Sequence, residues 1–229
     1  MTMLWSVRQC ENMDKAAFDG VGKYGIPPIL PVDIVEPIEM IGFNFAQRYK
    51  APERVGVHFF LKDYQFTRLW TSPDIYTPML SRFRFVCTPD FSMYTDYPMA
   101  LQINSHYRKH WLGAYWQAHG MTVIPTICWA DERSFDWCFD GEPVGGTVAV
   151  SSVGTQINRR SKRLFTLGFE HMLLRLRPRV VLFHGDMPCE VAEMLNSDNS
   201  SIRVVEVLAF QAKLRKIESR DTDGRTRSQ

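Results

Sequence analysis

The sequence lacks the features that are typical of secreted proteins, of membrane-spanning proteins and of proteins with cysteine-bound zinc. Its five cysteines are odd in number and widely spaced, without a close pair of the kind that binds zinc or forms a redox motif. No apolar run reaches the ~20 residues that a bilayer requires, and no basic segment followed by an apolar one stands at the N-terminus. We therefore expect a cytoplasmic protein with free thiols and no membrane partner.

A strong charge of either sign is also lacking. The formal net charge is +2, and residues 212–229 contain six Lys or Arg against three acids, so the rest of the chain is close to neutral. The body is therefore not a basic nucleic-acid surface. We expect residues 1–211 to form a single α/β domain and residues 212–229 to be a basic, disordered tail, with nucleic-acid contact through that tail as the alternative.

The standard motifs of several enzyme classes are missing as well. The chain has no P-loop and no dinucleotide-binding fingerprint, and Ser151-Ser152 is not part of a Gly-x-Ser-x-Gly elbow. His106 and His110 have the spacing of zinc-protease ligands, but Tyr107 stands where the glutamate is needed. That spacing can hold zinc. An exposed basic patch formed with Arg108-Lys109 is the favoured interpretation.

Short apolar runs alternate with longer amphipathic segments along the chain. The runs Phe85 to Cys87 and Val123 to Cys128 are rich in β-branched or aromatic residues, as in strands that are covered on both faces. Between them the pattern predicts a helix that runs to about His119 and is ended by Gly120. This strand–helix–strand order is the unit of a parallel α/β fold.

The same alternation predicts the remaining elements. Further strands are expected at 38–45, 55–61, 147–152, 179–184 and 202–210, and helices at 75–83, 158–177 and 190–195. The prolines of the segment Ile26 to Pro31 make it an extended strap packed on the body. Because successive strands all end in polar clusters, a small or incomplete (β/α) barrel is favoured. An open, doubly wound, mostly parallel sheet is the alternative.

Several segments carry a family resemblance. They are Val57 to Phe60, Asp63 to Phe66, Pro89 to Ser92, Trp111 to Gln117, Ser134 to Asp136, Cys138 to Gly141, Val148 to Ser151 and Val153 to Thr155. Together they resemble the domain of unknown function forty-four-seventeen, which is seen in bacteria and in their phages, plasmids and integrating elements. The resemblance covers roughly Pro27 to Gly185. It implies a mobile-element protein and carries no established activity with it.

Carboxylates and hydroxyls follow the predicted strands. Thr88 and Ala130 stand where serine is usual in that family, which makes their neighbours the safer candidates. The catalytic candidates are Asp90, Ser92, Asp131, Glu132 and His184. Clustered carboxylates repel one another unless they share a cation, a proton or a basic partner. Asp90, Asp131 and Glu132 are therefore the predicted ligands of Mg²⁺ or Mn²⁺, while helix or turn capping is the alternative use of such acids.

A second set of side chains is suited to substrate contact. The candidates are Asp63, Trp129, Ser151, Thr155, Gln156 and Arg159. The loop Gly154 to Gln156 leads into a helix whose free N–H groups suit an anion, and an aromatic ring at the mouth would stack on a base or a sugar. Asp63 is equally suited to cap the helix that follows it.

These residues favour a metal-assisted hydrolase or phosphotransfer enzyme that acts on a nucleotide or a nucleic acid. A non-catalytic nucleic-acid or replication-associated binding protein is the alternative, and it would use the tail and the Arg108-Lys109 helix. A structural α/β adaptor is the third interpretation.

Overall fold

The computed structural model describes residues 10–34, 38–197 and 202–207, and the strands within these ranges all pair in parallel. The first sheet contains β1 (Met40–Gly42), β2 (Gly56–His58), β3 (Phe85–Cys87) and β4 (Val123–Ile124), in that order. The second contains β5 (Thr147–Ser151), β6 (Val180–His184) and β7 (Arg203–Val207), also in order. Within each sheet every strand therefore pairs with its neighbours in sequence, which requires a crossover connection between each pair of strands.

Helices occupy these crossovers. They are α1 (Phe43–Ala46), α2 (Arg68–Thr71), α3 (Pro73–Leu80), α4 (Met99–Ala118), α5 (Arg159–Leu176) and α6 (Cys189–Ser197), with short 3-10 turns at Pro52–Arg54, Asp63–Gln65 and Glu132–Ser134. The two long helices, α4 and α5, connect β3 to β4 and β5 to β6. None of the helices in the described ranges is both long and apolar enough to cross a membrane.

The two sheets are joined by a single parallel bridge between Thr126 and Ala149. The Ala149 backbone donates to Pro125 at 2.9 Å and accepts from Ile127 at 2.8 Å. No pairing of β7 with β1 occurs in the described residues, so the barrel is not closed. The parallel α/β class is confirmed, and the sheet is open, as in the alternative prediction. Its sequential strand order is one that (β/α) barrels also use.

The strands β5 and β6 separate two apolar cores. Ala149 and Leu182 pack with the side chains of the first sheet and with Trp116 of α4. Their sequence neighbours pack on the other side, against α5. These neighbours are Val148, Val150, Val181 and Phe183. The period of two along a strand explains this division, since successive side chains point to opposite faces.

The first, second and fourth strands are shorter than their predicted apolar runs, and the second, predicted at 55–61, ends at His58. The first ends at Gly42, and helix α1 follows at once and buries Phe43 and Ala46. The fourth ends at Ile124, because Pro125 has no N–H to donate to a neighbouring strand. Gly120 has a φ of +77° just after α4, which confirms the predicted stop. The predicted tail, residues 212–229, lies outside the described residues.

The proline-rich strap lies on the body through backbone and side-chain hydrogen bonds. The Ile29 N–H donates to the Gly141 carbonyl at 2.8 Å. The Leu30 N–H donates to Gln117 Oε1 at 2.9 Å, and Gln117 Nε2 donates back to the Leu30 carbonyl at 3.0 Å. The prolines of the strap lack the N–H groups that strand pairing requires. These hydrogen bonds give the backbone groups of Ile29 and Leu30 partners on the body instead.

Candidate functional site

Two imidazoles and a hydroxyl meet at the carboxyl end of the strands. His58 ends β2, Ser151 ends β5 and His184 ends β6. The Ser151 hydroxyl lies 3.1 Å from His184 Nδ1, and the two imidazole rings have centroids 5.1 Å apart. The Phe60 ring stacks on His184 at 4.8 Å. Strands from both sheets thus contribute to one group of side chains, which we call the histidine site (His58, Phe60, Ser151 and His184).

The backbone around the histidine site fixes its hydrogen-bond directions. The Val153 N–H donates to Ser151 Oγ at 3.2 Å, which leaves the hydroxyl hydrogen free to point at His184 Nδ1. The Phe60 N–H donates to His58 Nδ1 at 3.3 Å, so this nitrogen is the unprotonated one. Ser151 and Phe60 are half-buried, whereas His58 and His184 are buried.

Burial sets the charge state of both histidines. It lowers the pKa of His58 to about 3, with a further contribution from the nearby His184. It also lowers the pKa of His184. Both imidazoles are therefore neutral at pH 7, and in the tautomer with its proton on Nε2 His184 accepts the Ser151 hydroxyl at Nδ1.

Asp63 and Ser92 tie two of the loops together. The Ser92 hydroxyl donates to Asp63 Oδ1 at 2.8 Å, and the Ser92 N–H donates to Oδ2 at 3.0 Å. The Asp63 side chain does not cap the following 3-10 turn and instead accepts both hydrogen bonds from Ser92. Asp90 is half-buried beside Cys128, and its pKa is raised to about 6 by burial, with Lys109 opposing the shift.

Asp131 and Glu132 face arginines and not Asp90. Asp131 accepts from the Arg133 backbone at 3.1 Å and from Arg133 Nη2 at 2.8 Å, and the hydrogen bonds from Arg133 lower the pKa of Asp131. Glu132 lies 3.7 Å from Arg163. These residues line an open groove of about 450 Å³ together with Arg160 and Leu164, which we call the arginine groove.

The predicted metal ligands are not brought into one group. Within the described ranges, the only three side chains of the His, Cys, Asp and Glu type with ligand atoms within 4.8 Å of one another are His106, His110 and Glu142. Asp131 pairs with Arg133 and Glu132 pairs with Arg163. These arginines offset the negative charges, so the two carboxylates do not need a metal ion to relieve their repulsion. The placement of Asp90, Asp131 and Glu132 therefore gives no support to a shared Mg²⁺ or Mn²⁺ ion.

The remaining substrate candidates are not brought to the histidine site by any hydrogen bond or ring contact among the described residues. Trp129 Nε1 donates to the Leu164 carbonyl at 3.0 Å, and its ring packs directly against Gly168 of α5. Thr155 Oγ1 donates to the Ser152 carbonyl at 2.7 Å, and Gln156 Nε2 donates to Thr155 Oγ1 at 2.9 Å. Arg159 is exposed at the first residue of α5.

The basic segment of α4 is buried and not an exposed patch. His106, Lys109 and His110 are each at most 1% exposed, which corrects the favoured interpretation of this segment. Lys109 Nζ lies 2.6 Å from Glu142 Oε1 and donates to the Thr126 carbonyl at 2.9 Å. The lysine is buried because it is paired, and Glu142 was not a predicted partner since it lies 33 residues away in sequence.

Sequence reasoning also did not identify His58 or Phe60 as functional candidates. Both lie inside the apolar run predicted as the strand 55–61, and His58 is the only polar residue of that run. The rule that pointed to His184, a titratable residue at the carboxyl end of a parallel strand, misses His58, because the structure ends β2 at His58 whereas the sequence pattern continues to Leu61.

Comparison with known proteins places the chain in a phage-associated group. It is 38% identical over 175 residues to the Gene 1 protein of Mycobacterium phage L5, which covers 76% of this chain and 76% of that protein. It is 39% identical over 173 residues to the Gene 1 protein of Mycobacterium phage D29, which covers 75% of this chain and 64% of that protein. No solved structure matches the chain. The family model described as Domain of unknown function (DUF4417) matches residues 18–211, which confirms the resemblance noted in the sequence, and the chain belongs to this family.

Proposed function

We propose that the protein is a hydrolase or phosphotransfer enzyme whose chemistry takes place at the histidine site. The observation that carries the proposal is the hydroxyl of Ser151, which lies 3.1 Å from Nδ1 of the neutral His184 at the carboxyl end of the strands. A nucleophile within hydrogen-bond reach of a neutral base is the arrangement that activates a hydroxyl. The position also agrees with where parallel α/β folds place their sites.

The proposed step uses only side chains of the histidine site. Ser151 Oγ attacks the phosphorus of an ester, and its proton moves to His184 Nδ1. The bond between phosphorus and the leaving oxygen breaks, and His184 returns the proton to that oxygen. Water then attacks the phosphoserine and releases phosphate, or an acceptor alcohol takes the phosphoryl group. Phe60 stacks on His184 and limits its rotation.

A phosphate ester is the substrate class that the surroundings favour. Arg133, Arg160 and Arg163 of the arginine groove lie on the loop after β4 and at the start of α5, which are also at the carboxyl edge of the sheet. The loop from Ser151 to α5 leads to the N-terminal end of an 18-residue helix, where free N–H groups favour negative charge. Nucleotides and nucleic acids carry such groups.

The test compares ester classes on purified wild-type protein and variants. We expect hydrolysis of p-nitrophenyl phosphate or bis-p-nitrophenyl phosphate above that of p-nitrophenyl acetate, with at least about 100-fold loss in Ser151→Ala and His184→Gln. Ser81→Ala is the matched control, because Ser81 is exposed and its hydroxyl contacts only the Pro78 carbonyl. Equal rates in wild type, Ser151→Ala and His184→Gln would reject the catalytic assignment. A preference for the acetate would reject the phosphate class.

A non-catalytic nucleic-acid-binding role is the second candidate, and the arginine groove favours it. The groove carries three arginines and two acids, and the side chains of Arg133 and Arg163 are 67% and 76% exposed. Fluorescence anisotropy with a labelled single-stranded oligonucleotide tests this role. Arg160→Ala and Arg163→Ala should each weaken binding and flatten its dependence on salt, whereas Ser151→Ala should leave it unchanged. Salt-independent binding would contradict this role.

A further inference from the structure

The buried histidines of α4 have fixed ring orientations. His106 Nε2 lies 3.0 Å from the Asp140 carbonyl oxygen, and His110 Nδ1 lies 2.9 Å from the Pro27 carbonyl oxygen. A carbonyl oxygen only accepts hydrogen bonds, so these two nitrogens carry the ring protons. The lone pairs of the neutral rings are therefore on His106 Nδ1 and His110 Nε2. A metal-binding histidine has this pattern, with its other ring nitrogen donating to a backbone carbonyl.

Two polar atoms of this cluster are buried without a hydrogen-bond partner. They are His106 Nδ1 and Glu142 Oε2. In addition, His110 Nε2 and Glu142 Oε1 lie 3.0 Å apart although both are acceptors when the ring is neutral. Unpaired acceptors in an apolar interior cost free energy, and a cation among them would satisfy all of them at once.

The geometry points to a transition-metal site, Zn²⁺ by the chemistry of its donors, held by His106 Nδ1, His110 Nε2 and Glu142. One ligand atom from each residue lies within 4.8 Å of the others. Two imidazole nitrogens with one carboxylate oxygen suit Zn²⁺ and not Mg²⁺, which prefers oxygen ligands alone. The site is independent of the histidine site and of the function proposed for it.

The position of the cluster indicates a structural role for the ion. Its ligands come from α4 and from Glu142 of the turn before β5, and the strap contributes the Pro27 carbonyl that orients His110. All three residues are buried, and the side chains of His110 and Glu142 are each 0% exposed. An ion there would join three segments that are far apart in sequence, as structural zinc sites do.

Lys109 is the competing cation for Glu142. Its ammonium contacts Oε1 at 2.6 Å and leaves Oε2 available, and it has a second acceptor in the Thr126 carbonyl. Because the ammonium and a divalent ion would repel each other across a few ångströms, Lys109 lowers the affinity of the site. Lys109→Met keeps all three ligands and removes this repulsion, so metal should bind at least about tenfold more tightly than in wild type.

The experiment measures metal in untagged protein purified without chelators. We expect about one zinc per chain by mass spectrometry of elements, and visible d–d bands when Co²⁺ replaces it. His106→Gln and His110→Gln should lose both signals. His119→Gln, on an exposed histidine just after the same helix, is the matched control and should retain them. EDTA should lower the melting temperature of wild type and of the control.

The metal content of wild type, together with the Lys109→Met protein measured below its melting temperature, keeps the proposal testable if the ligand variants do not fold. Tighter Co²⁺ binding in that variant than in wild type supports the site. Absence of zinc together with absence of Co²⁺ bands in both wild type and Lys109→Met would overturn it, as would metal retained in both ligand variants. In either of these cases the cluster is a proton-bridged network of ion pairs only.

Discussion

Removing either partner of the Lys109–Glu142 ion pair should markedly lower the free energy of unfolding. Its two charged atoms are 2.6 Å apart, and both side chains are at most 1% exposed. Glu142→Gln removes the carboxylate charge and leaves the Lys109 ammonium with the Thr126 carbonyl at 2.9 Å and Cys128 Sγ at 4.0 Å. Neither atom carries a full negative charge at pH 7, because burial raises the pKa of Cys128 to about 12.

The expected cost follows from this geometry. Removing one partner of a buried ion pair typically costs about 3–5 kcal/mol. Asp90, whose pKa is raised by burial and lowered by Lys109, is the nearby carboxylate that offsets part of this cost in Glu142→Gln. Lys109→Met should cost a similar amount, since it leaves the Glu142 carboxylate with only His110 as its polar contact. For a domain of this size, such a loss corresponds to a fall in Tm of about 6–20 °C. The double variant Lys109→Met/Glu142→Leu removes both charges and should be no less stable than either single variant.

The two single variants, the double variant and wild type form a double-mutant cycle. Denaturant unfolding in the presence of EDTA measures the stability of each protein without any contribution from a bound ion. The free energy of unfolding is obtained for wild type, the two single variants and the double variant at pH 7. A matched surface pair, Arg179 and Asp33, provides the comparison, because both side chains are more than half exposed. Its removal should cost no more than about 1 kcal/mol.

Two results would refute the reasoning. If Glu142→Gln lowers the free energy of unfolding by less than about 1 kcal/mol, the pair is accessible to water and is not the buried pair described here. If the double variant loses as much as the two single variants combined, the two side chains act independently.

Three further predictions concern the histidine site and helix α5. Because the folded-state pKa of His58 is depressed from 6.5 to about 3, its contribution to stability is present above pH 6.5 and is lost as the pH falls. Between pH 7 and pH 4.5 wild type should lose about 2–3 kcal/mol more than His58→Gln in urea unfolding, and parallel losses would contradict the assignment. Since burial lowers the pKa of His184, kcat/KM on a phosphate ester should remain level below pH 6.5. An acid limb at or above pH 6.5 would show that another base acts. Gly168→Ala should destabilise the protein by about 1–3 kcal/mol, because a Cβ there would lie 2.2 Å from the Trp129 ring. An unchanged unfolding midpoint would show that the ring moves aside.

The elements that sequence patterns predicted well are those controlled by local chemistry. The strand Phe85–Cys87 has the predicted bounds, and α4 ends where Gly120 adopts the left-handed backbone that few other residues tolerate. The shortened fourth strand is also explained locally, by Pro125. Such features depend on neighbours in sequence, and one chain is enough to identify them.

The buried polar network was beyond this kind of inference. His106, Lys109 and His110 stand in a charged run that is typical of an exposed helix face. Their burial depends on Glu142 and on the carbonyls of Pro27 and Asp140, which are supplied by other segments. A pattern along one helix contains no information on partners that only the tertiary structure brings to it.

Strand register explains why the histidine site assembles while the predicted carboxylate site does not. Ser151 and His184 are direct register partners in the β5–β6 pair, and partners in a parallel sheet lie side by side on one face. The pairing of β5 with β6 therefore places the His184 side chain beside that of Ser151. On the same face of the sheet, the His184 ring contacts the ring of His58. Asp131 lies beyond the end of its strand, where the nearest cation is Arg133, two residues on. Titratable residues that end a strand are positioned by the sheet, whereas acids in the following turn are free to pair locally, so the strand-end residues are the better candidates for chemistry.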